Sequence, residues 1–164
     1  MEHKNLALEL IKRLLSDEIK VRAKKNVAQA RKFTELLESA IQKLRNRQID
    51  AAKTLLHFIE MAKQIRGCYT RAIELGLTEE EFAFFEALEI SLPSDSVGVD
   101  ILKLIAHDLV LSVKQNSSID WNLKESTQAR MRLAVKRVLR KHGCSEEAIE
   151  KSLESILRQA AISK

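Results

Sequence analysis

Residues 117–143 read Ser117-Ser-Ile-Asp-Trp-Asn-Leu-Lys-Glu-Ser-Thr-Gln-Ala-Arg-Met-Arg-Leu-Ala-Val-Lys-Arg-Val-Leu-Arg-Lys-His-Gly143. On a helical wheel of about 100° per residue, Thr127, Met131, Ala134, Val135, Val138 and Leu139 share one arc, which is the pattern of a core-facing side. The cations fall opposite in two stripes, Arg132, Lys136 and Arg140 in one and Arg130, Arg137 and Lys141 in the other, with Leu133 alone among them. Asp120 or Asn122 can cap the start of such a helix, and Gly143 supplies the left-handed residue needed after a basic last turn. An amphipathic helix with both ends specified locally sets the class of the chain, which we read as all-α.

The charge of this segment also sets it apart. Between Lys124 and His142 stand seven Lys or Arg and one acid, Glu125, so the segment carries +6 of a chain whose total is +5. The remainder, with 21 cations against 22 acids, is close to neutral. Because Glu is nearly absent from this face, salt bridges within the helix do not neutralise it. The face is then either solvated, a docking surface for an acidic protein, or a contact for phosphates.

Composition supports the all-helical reading. The 164 residues contain four Gly and a single Pro, too few for a sheet protein with many tight turns. This length suits one domain of six or seven helices, residues 1–164, with lobes at 1–76 (a long antiparallel helix pair) and 77–164 (shorter helices). The two cysteines, Cys68 and Cys144, form no disulfide framework, and no apolar run reaches membrane-spanning length. These features point to a cytoplasmic protein without a signal peptide.

Outward from the basic helix, Asn5 can cap a short helix with Leu6, Leu10, Ile11, Leu14 and Leu15 on its apolar side, and Ser16-Asp17 can cap again. Ile19, Ala23, Ala30, Phe33, Leu37, Ile41 and Leu44 then predict one long helix to Asn46. Its expected partner carries Ile49, Ala52, Leu55, Leu56, Ile59, Ala62 and Ile65, has a weak point at Gly67 and stops at Gly76. Thr78-Glu-Glu-Glu81 is a capping box, followed by Phe82, Phe84 and Phe85. Ser91 to Gly98 is a breaker-rich loop from which Asp95, Ser96 or Asp100 can start a helix burying Ile101, Leu102, Ile105, Leu109 and Val113. Ser145 caps the last helix, with Ile149, Leu153, Ile156, Leu157 and Ala160 inward. Trp121, beside Ile119, is expected to anchor the start of the basic helix in the core.

No catalytic motif stands out. Gly67, Gly76, Gly98 and Gly143 never take the spacing of a nucleotide-binding loop, so no cofactor is expected for this chain. Glu18-Ile-Lys20 matches the end of a nuclease motif but lies in helical sequence. His142-Gly-Cys144 is an isolated pair of ligand types with no partners at metal-site spacing, and no metal is expected.

Ile119-Asp-Trp121, Lys124-Glu-Ser126, Ala129-Arg130, Arg132-Leu133 and Val135 to Gly143 together resemble the C-terminal helical domain of the R (restriction, endonuclease/translocase) subunit of type I restriction enzymes. The resemblance extends to Asn5 through Leu10, Asp17 through Lys20 and Leu77 through Leu88. His142, where the family often has an aromatic, and Cys144-Ser-Glu146, in place of a frequent proline-bearing turn, depart from it and bear on the packing of the last helix. The resemblance implies the last part of a larger DNA-translocating nuclease, with ATP and Mg serving only the full-length subunit. It implies assembly onto the M and S subunits of the methyltransferase core. Arg130, Arg132, Leu133, Lys136, Arg137, Arg140 and Lys141 are the expected contact residues. The alternative is that the same cations grip the phosphates of translocated DNA.

Overall fold

The computed structural model describes the backbone of residues 2–92, 97–117 and 121–163, and side chains from residue 5 onward. The expected caps Asp95, Ser96 and Asp120, and Ile119, lie outside the described residues. Among those described, the secondary structure is helical throughout: α1 (Glu2–Ala23), α2 (Val27–Arg45), α3 (Ala51–Leu75), α4 (Glu79–Glu89), α5 (Val99–Asn116), a 3-10 turn (Trp121–Leu123), α6 (Glu125–Lys141) and α7 (Glu146–Ile162). They form two compact units, one of Met1–Lys24 with Gln29–Gly76 and the other of Lys25–Ala28 with Leu77–Lys164.

In the first unit Leu8, Leu15, Ile19, Ala30, Phe33, Leu37, Phe58, Met61 and Ile65 form the core. Two expectations are corrected here. Helix α1 runs through Ser16-Asp17, and the chain breaks later, at Lys24-Lys25-Asn26, so the expected helix from Ile19 to Asn46 is divided. Ser and Asp inside a helix each cost only a few tenths of a kcal/mol up to about 0.7, which burial of Leu15 and Ile19 on either side outweighs. The second correction concerns faces. Leu6, Leu10 and Leu14 are exposed and Leu8, Leu15 and Ile19 are buried, while α3 exposes Ala52, Leu56 and Ile59 and buries Thr54, Phe58, Met61 and Ile65. Both helices are apolar on two sides, so periodicity identifies the helix without choosing its inner face; the close approach of the α1 and α3 backbones makes that choice.

Arg22 is the unusual interior residue of this unit. Its guanidinium pairs with Glu18 at 3.3 Å, donates to Gln29 and lies 4.1 Å from the centre of the Tyr69 ring. The stacking on an aromatic face offsets part of the cost of burying the charge. Helix α3 starts at Asp50, whose carboxylate accepts from the Lys53 N–H at 2.8 Å, passes without a break through Gly67, and ends at Gly76 with φ 68°.

In the second unit α4 packs on α5 and α7, and α6 packs on the same two helices, closing a ring of four. Phe84, Phe85, Leu88, Leu102, Ile105, Leu109, Met131, Val135, Leu139, Ile149 and Ile156 fill it. The capping box of α4 is formed as expected: the Glu81 N–H donates to the Thr78 hydroxyl and the Thr78 N–H to the Glu81 carboxylate, both at 3.1 Å. Helix α5 begins after Gly98 with no side-chain cap, and Ile101, expected to be buried, is exposed. Ser145 caps α7, accepting from the Ala148 N–H at 3.2 Å.

A polar clamp inside this unit has no counterpart in the sequence reading. The buried Gln159 amide of α7 accepts from the Val27 N–H and donates to the Lys25 carbonyl, both at 2.9 Å. One side chain thereby satisfies a free N–H of the first turn of α2 and a carbonyl of the segment before it.

Candidate functional site

The site is built on α6. Asn122 does not cap it; Trp121–Leu123 form a 3-10 turn, and the helix starts after Lys124 without a side-chain cap. The Thr127 hydroxyl instead faces the Trp121 and Lys124 carbonyls, at 2.5 and 2.9 Å, and the Gln128 amide donates to the Asn122 carbonyl. Trp121 is 7% exposed. The far end is the expected one: Gly143, at φ 81°, donates to Arg140, and the Cys144 N–H reaches the Leu139 carbonyl at 3.1 Å. With its ends tied and Met131, Ala134, Val135 and Leu139 buried, α6 has no freedom to rotate, so its outward residues hold definite positions.

The two cationic stripes face different neighbours. The stripe of Arg132, Lys136 and Arg140 lies beside α7, where Lys136 meets Glu150 at 3.5 Å and Arg140 meets both carboxylate oxygens of Glu146, at 2.9 and 3.2 Å. The hydrogen bonds from Arg140 hold the Glu146 carboxyl below its ordinary range. Of the stripe of Arg130, Arg137 and Lys141, the last two lie beside α5, where Asp108 meets Lys141 at 3.2 Å and His142 Nε2 at 2.7 Å. The His142 hydrogen bond, with Lys141, outweighs desolvation and holds the Asp108 carboxyl below the usual carboxylate range.

Three of the six expected cations are therefore occupied by acids of the same unit. Arg130, Arg132 and Arg137 have no acidic partner among the described residues. Leu133 is 58% exposed between them. Of the seven residues expected as contacts, Arg130, Arg132, Leu133, Arg137, Arg140 and Lys141 are exposed and Lys136 is half-buried; Asp108, Glu146 and Glu150 were not foreseen, because these belong to other helices and only packing brings them into reach.

Between α5 and α6 runs a groove of about 450 Å³. Leu111, Ala134 and Val138 give it an apolar lining, Arg137 and Lys141 stand on its α6 side, and Ser112 and Gln115 on its α5 side. Leu111, 47% exposed, is the apolar residue of α5 left uncovered at this place.

Among the described residues no three His, Cys, Asp or Glu gather as a metal site. Burial pushes the Cys144 thiol up, away from the reactive thiolate, and His142 is engaged by Asp108. No described helix is long and apolar enough to cross a membrane.

Fold and surface together define an all-α module whose distinctive chemistry is one rigid cationic helix face. The chain belongs to the family described as "Type I restriction enzyme HindI endonuclease subunit-like, C-terminal", which matches residues 1–164. It is 30% identical over 158 residues to the type I restriction enzyme HindI endonuclease subunit of Haemophilus influenzae, a match covering 96% of this chain and 15% of that protein. It is 33% identical over 154 residues to a protein of Methanocaldococcus jannaschii assigned as the type I restriction enzyme MjaIXP endonuclease subunit, covering 91% of this chain and 14% of that one. The chain thus spans about one seventh of the length of these curated relatives. No solved structure matches it.

Proposed function

We propose that this chain is the assembly module of a type I restriction endonuclease subunit, docking the nuclease and translocase parts onto the M and S subunits of the methyltransferase core in the cytoplasm. ATP, Mg and the nuclease chemistry belong, on this reading, to the rest of the subunit. The observation that carries it is Leu133, exposed in the middle of guanidinium groups that have no acidic partner among the described residues. An apolar anchor ringed by Arg suits a protein partner, since buried apolar groups and Arg dominate interface energetics, whereas against phosphates a leucine contributes little.

The test is co-purification of the endonuclease subunit with purified methyltransferase core. Joint substitution Arg130→Glu, Leu133→Glu and Arg137→Glu should abolish it, while the ATP site of the motor stays intact. The pair Lys136→Glu and Arg140→Glu, whose cations already have acids of their own, should weaken it less. If the triple variant still assembles but loses low-salt binding to duplex DNA, with a shallower salt dependence, the phosphate-gripping reading replaces the docking one.

A further inference from the structure

We infer that the α5/α6 groove receives one acidic amphipathic helix of the methyltransferase partner, its apolar edge against Leu111, Ala134 and Val138, one of its carboxylates meeting Arg137 at the groove and a second meeting Arg130, two turns beyond it on the same stripe of α6. The inference rests on the docking reading above and specifies the chemistry of the partner.

Charge complementarity points to the acid. Arg130, Arg137 and Lys141 form one stripe along the same side of α6, and only Lys141 is satisfied from within, by a carboxylate of the neighbouring helix α5. Asp108 shows what this stripe accepts: an acid presented sideways from a helix packed alongside. Arg130 and Arg137 lack that partner among the described residues, and seven residues of helix separate them by about 10 Å along the axis. A helix lying along the groove presents two carboxylates at i and i+7 at the same spacing, with an apolar edge between them.

The lining favours a helix over other occupants. An extended peptide would find no sheet edge to extend, because the flanking backbones are committed to helices. A nucleic-acid strand would press phosphates onto Leu111 and Val138 and toward the Asp108 carboxylate, which already takes up Lys141. Asp108 also sets polarity: the acidic part of the incoming helix lies toward Arg130, away from the end the chain has already neutralised.

The experiment places the photo-crosslinking residue p-benzoylphenylalanine at position 111 of the endonuclease subunit, assembles it with purified M and S subunits, and maps the adducts by mass spectrometry. The expected adduct lies on a helical segment of the core bearing two acids two turns apart. Changing those two acids to Arg should restore assembly to the Arg130→Glu, Arg137→Glu variant. Leu111→Glu should weaken core binding about tenfold or more, as for a central interface residue. Gln115→Trp, which fills the groove from its exposed rim, should do the same with an unchanged melting temperature. Adducts on DNA, on a segment lacking acids, or none at all in an intact complex would overturn the inference. If Leu133→Glu breaks assembly while Leu111→Glu and Gln115→Trp leave it intact, the groove is unoccupied and only the docking reading survives. If all three leave it intact, both fail.

Discussion

Asp108 joins α5 to both the last turn of α6 and its cap residue, His142. Its carboxyl is depressed in the folded protein, chiefly by the His142 hydrogen bond. A depressed carboxyl contributes stability that is present above its unfolded value and disappears as pH falls through its folded value. Asp108→Asn should therefore melt below the parent near neutral pH, and the two melting curves should converge in acid; thermal scans across pH read this directly. Trp121 acts at the other end of α6. Replacing this buried ring with Ala should cost about 3–5 kcal/mol, the usual range for a buried aromatic, measurable as a lowered denaturation midpoint. An unchanged midpoint would mean that the ring is not what pins the start of the helix.

At the scale of elements, α4 shows how local chemistry holds a short helix whose packing demand is high. Phe82, Ala83, Phe84, Phe85, Ala87 and Leu88 are all buried within its 11 residues. Burial raises the pKa of the Glu81 carboxyl, but the Thr78 N–H, then the His107 and Thr78 side chains, outweigh it and leave the group depressed. Thr78→Ala should destabilise the protein by roughly 1 kcal/mol through loss of the cap, seen as a shift in the denaturation midpoint with unchanged slope. The first turn of α2 depends instead on a distant residue. Gln159→Ala removes the partner of the Val27 N–H and the Lys25 carbonyl, and should cost about 1–3 kcal/mol for each group left dry. Faster hydrogen exchange at the Val27 amide is the specific signature, since a general loss of packing would not single it out.

For the molecule as a whole, net charge is a poor guide to what a partner meets. The +6 of residues 124–142 is reduced on folding by Glu146, Glu150 and Asp108, and three guanidinium groups around one exposed leucine have no acidic partner among the described residues. On the docking proposal, assembly driven by these groups should weaken as salt rises yet keep a salt-resistant part from Leu133 and the groove; titration of core binding against ionic strength separates the two. On the reading that ATP and Mg serve only the full-length subunit, the 164-residue chain by itself should hydrolyse no ATP and cut no DNA, since its glycines never take the spacing of a phosphate loop. A magnesium-dependent ATPase that tracks with this polypeptide through purification would contradict that.

What the sequence determined by itself was the helical class and those helix ends whose hydrogen bonds close within a few residues. Thr78 with Glu81, Gly76, Gly143 and Ser145 act where the chain order places them, because donor and acceptor are covalent near-neighbours. The outward set on α6 was legible for a related reason: its apolar arc is the only one that helix has, so the cations must lie opposite. The inner faces of α1 and α3 were not legible, since each helix has apolar residues on two sides and the choice depends on which neighbour arrives. The break at Lys24-Lys25-Asn26, rather than at Ser16-Asp17, depends likewise on packing around Leu15 and Ile19. The state of each cation was decided last and furthest away in sequence. Lys136, Arg140 and Lys141 meet carboxylates of neighbouring helices while Arg130 and Arg137 meet none among the described residues, because a carboxylate must come within about 4 Å to form an ion pair, and that distance is set by how helices pack.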